Sequence, residues 1–155
     1  MTTNATTIEQ VRALVGRELG VGGWFEVTQE RVNAFAEVTG DHQWIHVDTE
    51  RAAASPFGGT IAHGLFTLSV FALLQKEWEG ARIDLPIKMS INYGLNKVRF
   101  IAPVRIGKRI RLRTKLAEVA EVAPNTYHLI TENTVEIEGE AKPAMVSEGI
   151  RRVIL

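Results

Sequence analysis

None of the 155 residues is cysteine. That excludes disulfides, thiolate nucleophiles and cysteine-ligated zinc, and it suits a reducing cytoplasm. An excess of charge is missing as well, because eighteen basic residues balance eighteen acidic ones. No global field therefore draws the chain to nucleic acid or to an anionic membrane. Long apolar runs are also lacking. The longest lies within "LFTLSVFALL", about half the roughly 20 residues that a membrane-crossing helix needs. The opening "MTTNATTIEQ" has neither a basic segment nor an apolar core, so it does not read as a signal peptide. Repeats, low-complexity tracts, metal-ligand clusters and nucleotide-binding loops do not appear either, and no metal or cofactor is expected.

What is present is an ordinary globular composition, 45% hydrophobic and 23% charged. The length predicts a single domain over residues 1–155, with roughly 68–70% of its unfolded surface buried. Ile8, Val11, Val15 and Leu19 recur at helical spacing, which predicts an amphipathic helix ending near Gly20. "WFEV" reads as a short strand. Thr28 is placed to cap a helix over "QERVNAFAEVTG", with Val27 and Val32 as a hydrophobic staple and Gly40 as its stop. Asp48 is placed to cap a short turn through "TERAAA".

From Gly64 to Glu79 the pattern is helical, and from Leu65 to Leu74 it is apolar nearly all round, which predicts a buried helix stopping at Gly80. The period then changes to two. Ile87, Met89, Ile91 and Tyr93 alternate with polar residues, as do Val98 and Phe100, and Ile110, Leu112 and Thr114. Turn signals at "APVRIGK", "APN" and "EGEAKP" separate these runs from two later ones. Such alternation marks antiparallel strands with one wet face. The expected fold is α+β, a meander of four or five long strands wrapped around the buried helix.

Between the second helix and the buried one stands "TGDHQWIHVDTERAAASPFGGTIAHG". Asp41, His46 and the pair His63-Gly64 occur in it at spacings that resemble the signature of MaoC-like dehydratases, the (R)-specific enoyl-CoA hydratases. The resemblance continues through "INYGLNKVRFIAPVRIGKRI" and implies a hot-dog fold. Gln43 and Trp44 stand where most members have Asn and Pro. That form is similar to a bacterial subgroup of nodulation protein N-like and mycobacterial acyl-thioester dehydratases.

Hydrating a 2-enoyl thioester needs a base for water, an acid for the α-carbon and a donor for the developing oxyanion. An ionised Asp41 and a neutral His46 can hold one water between them and move its protons. The resemblance implies the (R)-3-hydroxy product. Gly64 opens the buried helix, so its N–H is one of the unpaired donors of that terminus and serves as an oxyanion site. Gln43 and Ser69 are candidates for lining the site, and Lys97 and Arg99 for meeting coenzyme A phosphates. His63 is assigned to packing or capping, and His42 and His128 to the surface or the sheet. Taken alone, Asp41 is as well explained as a turn former after Gly40, and each lone histidine as structural. Only the joint spacing points to catalysis.

Two other functions fit the same fold. A thioesterase needs a carboxylate on or beside the central helix, and no Asp or Glu occurs from 64 to 76. A non-catalytic acyl-thioester-binding module has no use for both Asp41 and His46. The substrate carrier is either coenzyme A or acyl carrier protein. Open sheet edges, as hot-dog proteins close theirs, predict a homodimer.

Overall fold

The computed structural model describes residues 3–155; Met1 and Thr2, which open the run read for a signal peptide, lie outside the described residues. The chain begins with β1 (Asn4–Ala5) and α1 (Ile8–Arg12), followed by β2 (Glu18–Val21) and β3 (Phe25–Glu26). Next come α2 (Gln29–Thr39), α3 (Trp44–Val47) and α4 (Thr49–Ala53). The central helix is split into α5 (Gly64–Ser69) and α6 (Phe71–Leu74), and short β4 (Glu79–Gly80) and β5 (Arg82–Ile83) follow it. Four long strands complete the fold: β6 (Met89–Phe100), β7 (Arg109–Ala123), β8 (Thr126–Ile137) and β9 (Met145–Ile154).

The first helix is shorter than its periodicity predicts. The chain turns at Gly16, whose N–H donates to the Leu116 carbonyl at 2.8 Å. From there Glu18–Val21 pairs with β7 as a strand. Sheet pairing there overrides a helical pattern whose fourth member, Leu19, is buried from a strand instead.

The middle helices follow their sequence signals. Thr28 accepts the Arg31 N–H at 3.4 Å, and Val27 and Val32 are both fully buried. Gly40 ends α2 with a left-handed φ of 75°, the conformation in which glycine pays no steric penalty. Asp48 caps α4 by accepting the Arg51 N–H at 3.0 Å.

The long strands are antiparallel, but their order is not a simple meander. The sheet runs β4-β2-β7-β8-β9-β6, with β3 also pairing β7. The segment read as a plain turn, residues 101–108, is a crossover that carries the chain from one edge of the sheet to its middle. On the way it pairs with the segment leading into α5: the Ala62 N–H donates to Val104 O at 2.8 Å, and the Ile106 N–H to Thr60 O at 3.0 Å.

One hydrophobic cluster joins Phe66, Val70 and Leu74 of the central helices to Ile110, Leu112, Val135 and Met145 of the sheet. A second joins Ile8, Val11 and Leu14 to Leu116, Leu129 and Val153. Each fully buried aliphatic side chain contributes roughly 1.5–3 kcal/mol. The central helix is nonetheless not buried all round. It ends at Leu74 rather than at Gly80, and Leu65 on its outer face is 60% exposed. The sheet covers one side of the helix and Phe35 of α2 meets Phe66, whereas Leu65 faces outward. No described helix is long and apolar enough to cross a membrane.

Candidate active site

The site is assembled where α2 ends, α3 begins and the chain enters α5. After the turn at Gly40, Asp41 Oδ1 accepts the Gln43 N–H at 3.3 Å, and the Asp41 N–H donates to Thr39 Oγ1 at 3.4 Å. Asp41 is thus a turn former as well as an exposed carboxylate. One turn further on, His46 is buried in α3. Its Nδ1 lies 2.7 Å from the Ile61 carbonyl oxygen. A carbonyl only accepts, so Nδ1 carries the proton and Nε2 keeps its lone pair.

His63 completes a trio. Its Nε2–H donates to the Asp41 backbone carbonyl at 2.9 Å, and its ring stacks on His46 with centroids 3.7 Å apart. Phe35 packs against the same ring at 5.0 Å. The dominant influence on His46 is burial, which lowers its pKa. The Ile61 bond and the Asp41 charge raise it, His63 lowers it, and the balance falls below the ordinary imidazole value. At neutral pH His46 is therefore an uncharged base.

The side-chain donor atoms of Asp41, His46 and His63 lie within 4.8 Å of one another, close enough to raise the question of a metal. The rings are nearly parallel, 26° apart. A metal needs lone pairs that converge, whereas a stack sends them side by side. The arrangement suits proton transfer better than chelation.

Gln29, at the start of α2, holds the parts together. Its Nε2 donates to His46 O at 2.7 Å, and its Oε1 accepts from Thr60 Oγ1 at 2.5 Å. Three segments distant in sequence are tied by this one amide. Gly64 follows His63 as the first residue of α5, and its N–H has no acceptor among the described residues. A Cβ at Gly64 would stand 2.7 Å from the Phe100 ring of β6, so any larger residue there must push that ring aside.

The structure brings Asp41, His46, His63 and Gly64 together. His63 occupies the N-cap position of α5, yet its side chain makes no capping bond. Gln43 is exposed at the N-cap of α3 and likewise makes no side-chain cap. Ser69 is exposed and donates to the Leu65 carbonyl at 2.7 Å. Lys97 and Arg99 are exposed on β6, where Arg99 donates to Val98 O. Among the described residues no side chain of these four bonds to the trio, although the Gln43 backbone does, donating its N–H to Asp41 Oδ1 and accepting the His46 N–H at 2.9 Å. His42 lies on the surface 3.7 Å from Glu37, and His128 sits in β8, accepting from Arg152 at 2.9 Å. Gln29, Thr60 and Phe100 escape sequence reasoning because their roles depend on long-range packing.

Sheet, helices and loop order together define a hot-dog domain whose buried imidazole sits beside a carboxylate. The chain belongs to the MaoC-like domain family, whose model matches residues 10–138. It is similar to 3-hydroxyacyl-thioester dehydratase Z of Mycobacterium tuberculosis (strain ATCC 25618 / H37Rv), 48% identical over 148 residues and spanning 96% of each chain. It is also similar to nodulation protein N of Rhizobium meliloti (strain 1021), 43% identical over 149 residues, covering 93% of this chain and 89% of that one. Among solved structures, the (R)-hydratase from A. caviae superposes with a TM-score of 0.68. That match covers 88% of this chain and 94% of the other at 24% identity, and it bears on the fold alone.

Proposed function

We propose that this chain, as one MaoC-like hot-dog domain over residues 1–155, catalyses the reversible hydration of trans-2-enoyl-CoA thioesters to (R)-3-hydroxyacyl-CoA. One observation carries the reading. A carboxylate, a buried uncharged imidazole with a bare Nε2, and an unpaired Gly64 N–H meet at one site. The curated relatives reported above include a dehydratase of 3-hydroxyacyl thioesters, which accords with this chemistry.

In the proposed step, a water lies between the Asp41 carboxylate and His46 Nε2. Its oxygen bonds to C3 of the enoyl group while one proton passes to the Asp41/His46 pair. The electron pair of the C2–C3 double bond moves toward the thioester, forming an enolate whose oxygen accepts from the Gly64 N–H. Collapse of the enolate draws a proton from the pair to C2, so water adds to one face and no redox partner is consumed. Because α5 has only six residues, the N–H itself rather than the helix dipole does most of the stabilising. One such donor is typically worth about 10²–10³ in kcat.

The remaining candidates take supporting roles. Gln43 and Ser69 line the substrate channel, and Lys97 and Arg99 meet the phosphates of coenzyme A or the face of acyl carrier protein. The exposed apolar strip on β6, together with Leu65, favours a homodimer with substrate near the subunit boundary; the cysteine-free sequence suits work in the cytoplasm.

Crotonyl-CoA tests the reading. Loss of enoyl absorbance is expected; release of free thiol would mean a thioesterase, and neither signal a binding module. Asp41→Asn and His46→Gln are each expected to lower kcat by at least ~10²-fold while the protein stays folded. His46 acts uncharged and burial lowers its pKa, so kcat/KM is expected to hold through the ordinary histidine range and to fall only at lower pH. An acid limb displaced above that range would contradict the assignment.

A further inference from the structure

We propose that His63 is a positioning residue of this site, acting through Asp41: its Nε2–H grips the Asp41 backbone carbonyl and thereby sets where the carboxylate stands. The proposal rests on the hydratase reading above, which assigns work to Asp41 and His46 and none to His63.

The geometry is specific. Asp41 follows the αL residue Gly40 in an exposed turn, and among the described residues its own local bonds are those of 3.3 and 3.4 Å to Gln43 and Thr39. Bonds that long add little rigidity. The 2.9 Å bond from His63, twenty-two positions away, is the shortest that Asp41 makes, and it anchors the turn to the start of α5. Since α5 also supplies Gly64, one ring fixes the carboxylate relative to the proposed oxyanion donor.

The His63 ring is itself immobilised. It is 3% exposed and held by the His46 stack and by Phe35. Its Nδ1 is buried with no partner. A buried N–H without an acceptor is costly, so the tautomer that places the proton on Nε2, where the Asp41 carbonyl accepts it, is favoured over the one that places it on Nδ1. His63 is thus kept as the Nε2–H tautomer, an unchanging donor. His46 is pinned the opposite way, through Nδ1, to Ile61. Two stacked imidazoles are locked as complementary tautomers by two backbone carbonyls. The bare nitrogen of His46 remains for chemistry, and that of His63 is sealed off.

Two variants separate the N–H from the ring. In His63→Gln the amide nitrogen reaches the place of Nε2 and keeps the donor; His63→Phe keeps the aromatic packing and removes it. With crotonyl-CoA, the Gln variant is expected to keep kcat within about tenfold. The Phe variant is expected to lose about 10²-fold, comparable to losing one positioned proton-transfer group, with KM little changed. Combining His63→Phe with Asp41→Asn is expected to cost little beyond the worse single change, because both act on the same carboxylate. Melting curves confirm that each variant is folded. A folded Phe variant with normal kcat, or a Gln variant as impaired as Phe, overturns the proposal.

A measurement that needs no activity accompanies these. Imidazole ¹⁵N spectra of the wild-type protein are expected to show His63 carrying its hydrogen-bonded proton on Nε2. The Nδ1–H tautomer overturns the proposal too. If wild-type protein fails to hydrate crotonyl-CoA while this spectrum holds, the hydratase reading is lost and the His63–Asp41 anchor stands.

Discussion

Strands β6 and β7 carry the same sequence signal and meet opposite fates. Both alternate in residue type, β6 from Met89 to Leu95 and β7 from Arg109 to Leu116. On β7 the apolar members Ile110, Leu112 and Leu116 are fully buried against the central helices and α1. Their polar neighbours form a ladder across the wet face, with Arg109 paired to Glu138, Arg111 and Arg113 to Glu136, and Lys115 to Glu132. On β6 the apolar members Met89, Ile91, Tyr93 and Leu95 remain 42–52% exposed. Alternation declares a strand; what covers it depends on its place in the sheet. β7 lies in the interior, whereas β6 is the edge beyond β9. An exposed apolar edge is the kind of surface that a second copy covers in an oligomer.

Four substitutions test that contrast, from the largest expected effect to the smallest. Leu112→Ala on β7 removes a fully buried side chain and is expected to cost about 2–5 kcal/mol, read as a large drop in denaturant midpoint. A loss below about 1 kcal/mol would mean that the interior is not as tightly packed as described. Ile91→Asp on β6 is expected to spare the fold but dissociate the proposed dimer, halving the mass seen by light scattering; circular dichroism should be unchanged. If instead it unfolds the chain as Leu112→Ala weakens it, the two strands are equivalent and the contrast fails.

Gly64→Ala probes the point where Phe100 of β6 meets the site. The added methyl must displace the Phe100 ring, so a loss of about tenfold in kcat/KM is expected, equivalent to about 1.4 kcal/mol. Phe100→Leu in the same chain should recover part of it, and no recovery would sever β6 from the site. Arg111→Ala on the wet face of β7 removes a partly exposed pair with Glu136 and a contact 4.4 Å from the Trp24 ring. It is expected to cost about 1 kcal/mol or less and to matter less in high salt.

Much of this fold was legible wherever local chemistry decides. Thr28, Gly40 and Asp48 mark helix ends through bonds spanning four residues or fewer, and each behaves as its type predicts. The first helix was not legible beyond Arg12, since pairing with β7 recruits the residues after Gly16. Nor was the strand order, which depends on a crossover whose partners lie more than forty positions upstream. The site divides in the same way. Asp41, His46 and Gly64 stand out by spacing, whereas the Gln29 clamp spans 17 and 31 positions and leaves no local trace. The tautomers of the two histidines are set by carbonyls at Ile61 and Asp41. Any residue type can supply a carbonyl, so no reading of side chains could have found them.

The pairing of β6 also sets a timetable for folding. β7 and β8 form a hairpin turned at Asn125, a local closure that is quick to reach. β6 has no such neighbour: Met89 lies opposite Ile154 and Phe100 opposite Met145. Closing so large a loop costs chain entropy before any contact repays it. Until β9 arrives, an apolar strand waits unpaired, prone to join the wrong chain. Phe100 reaches Gly64 only after that step. On refolding, the hairpin therefore forms early and catalytic competence returns late, paced by an encounter at the far edge of the sheet.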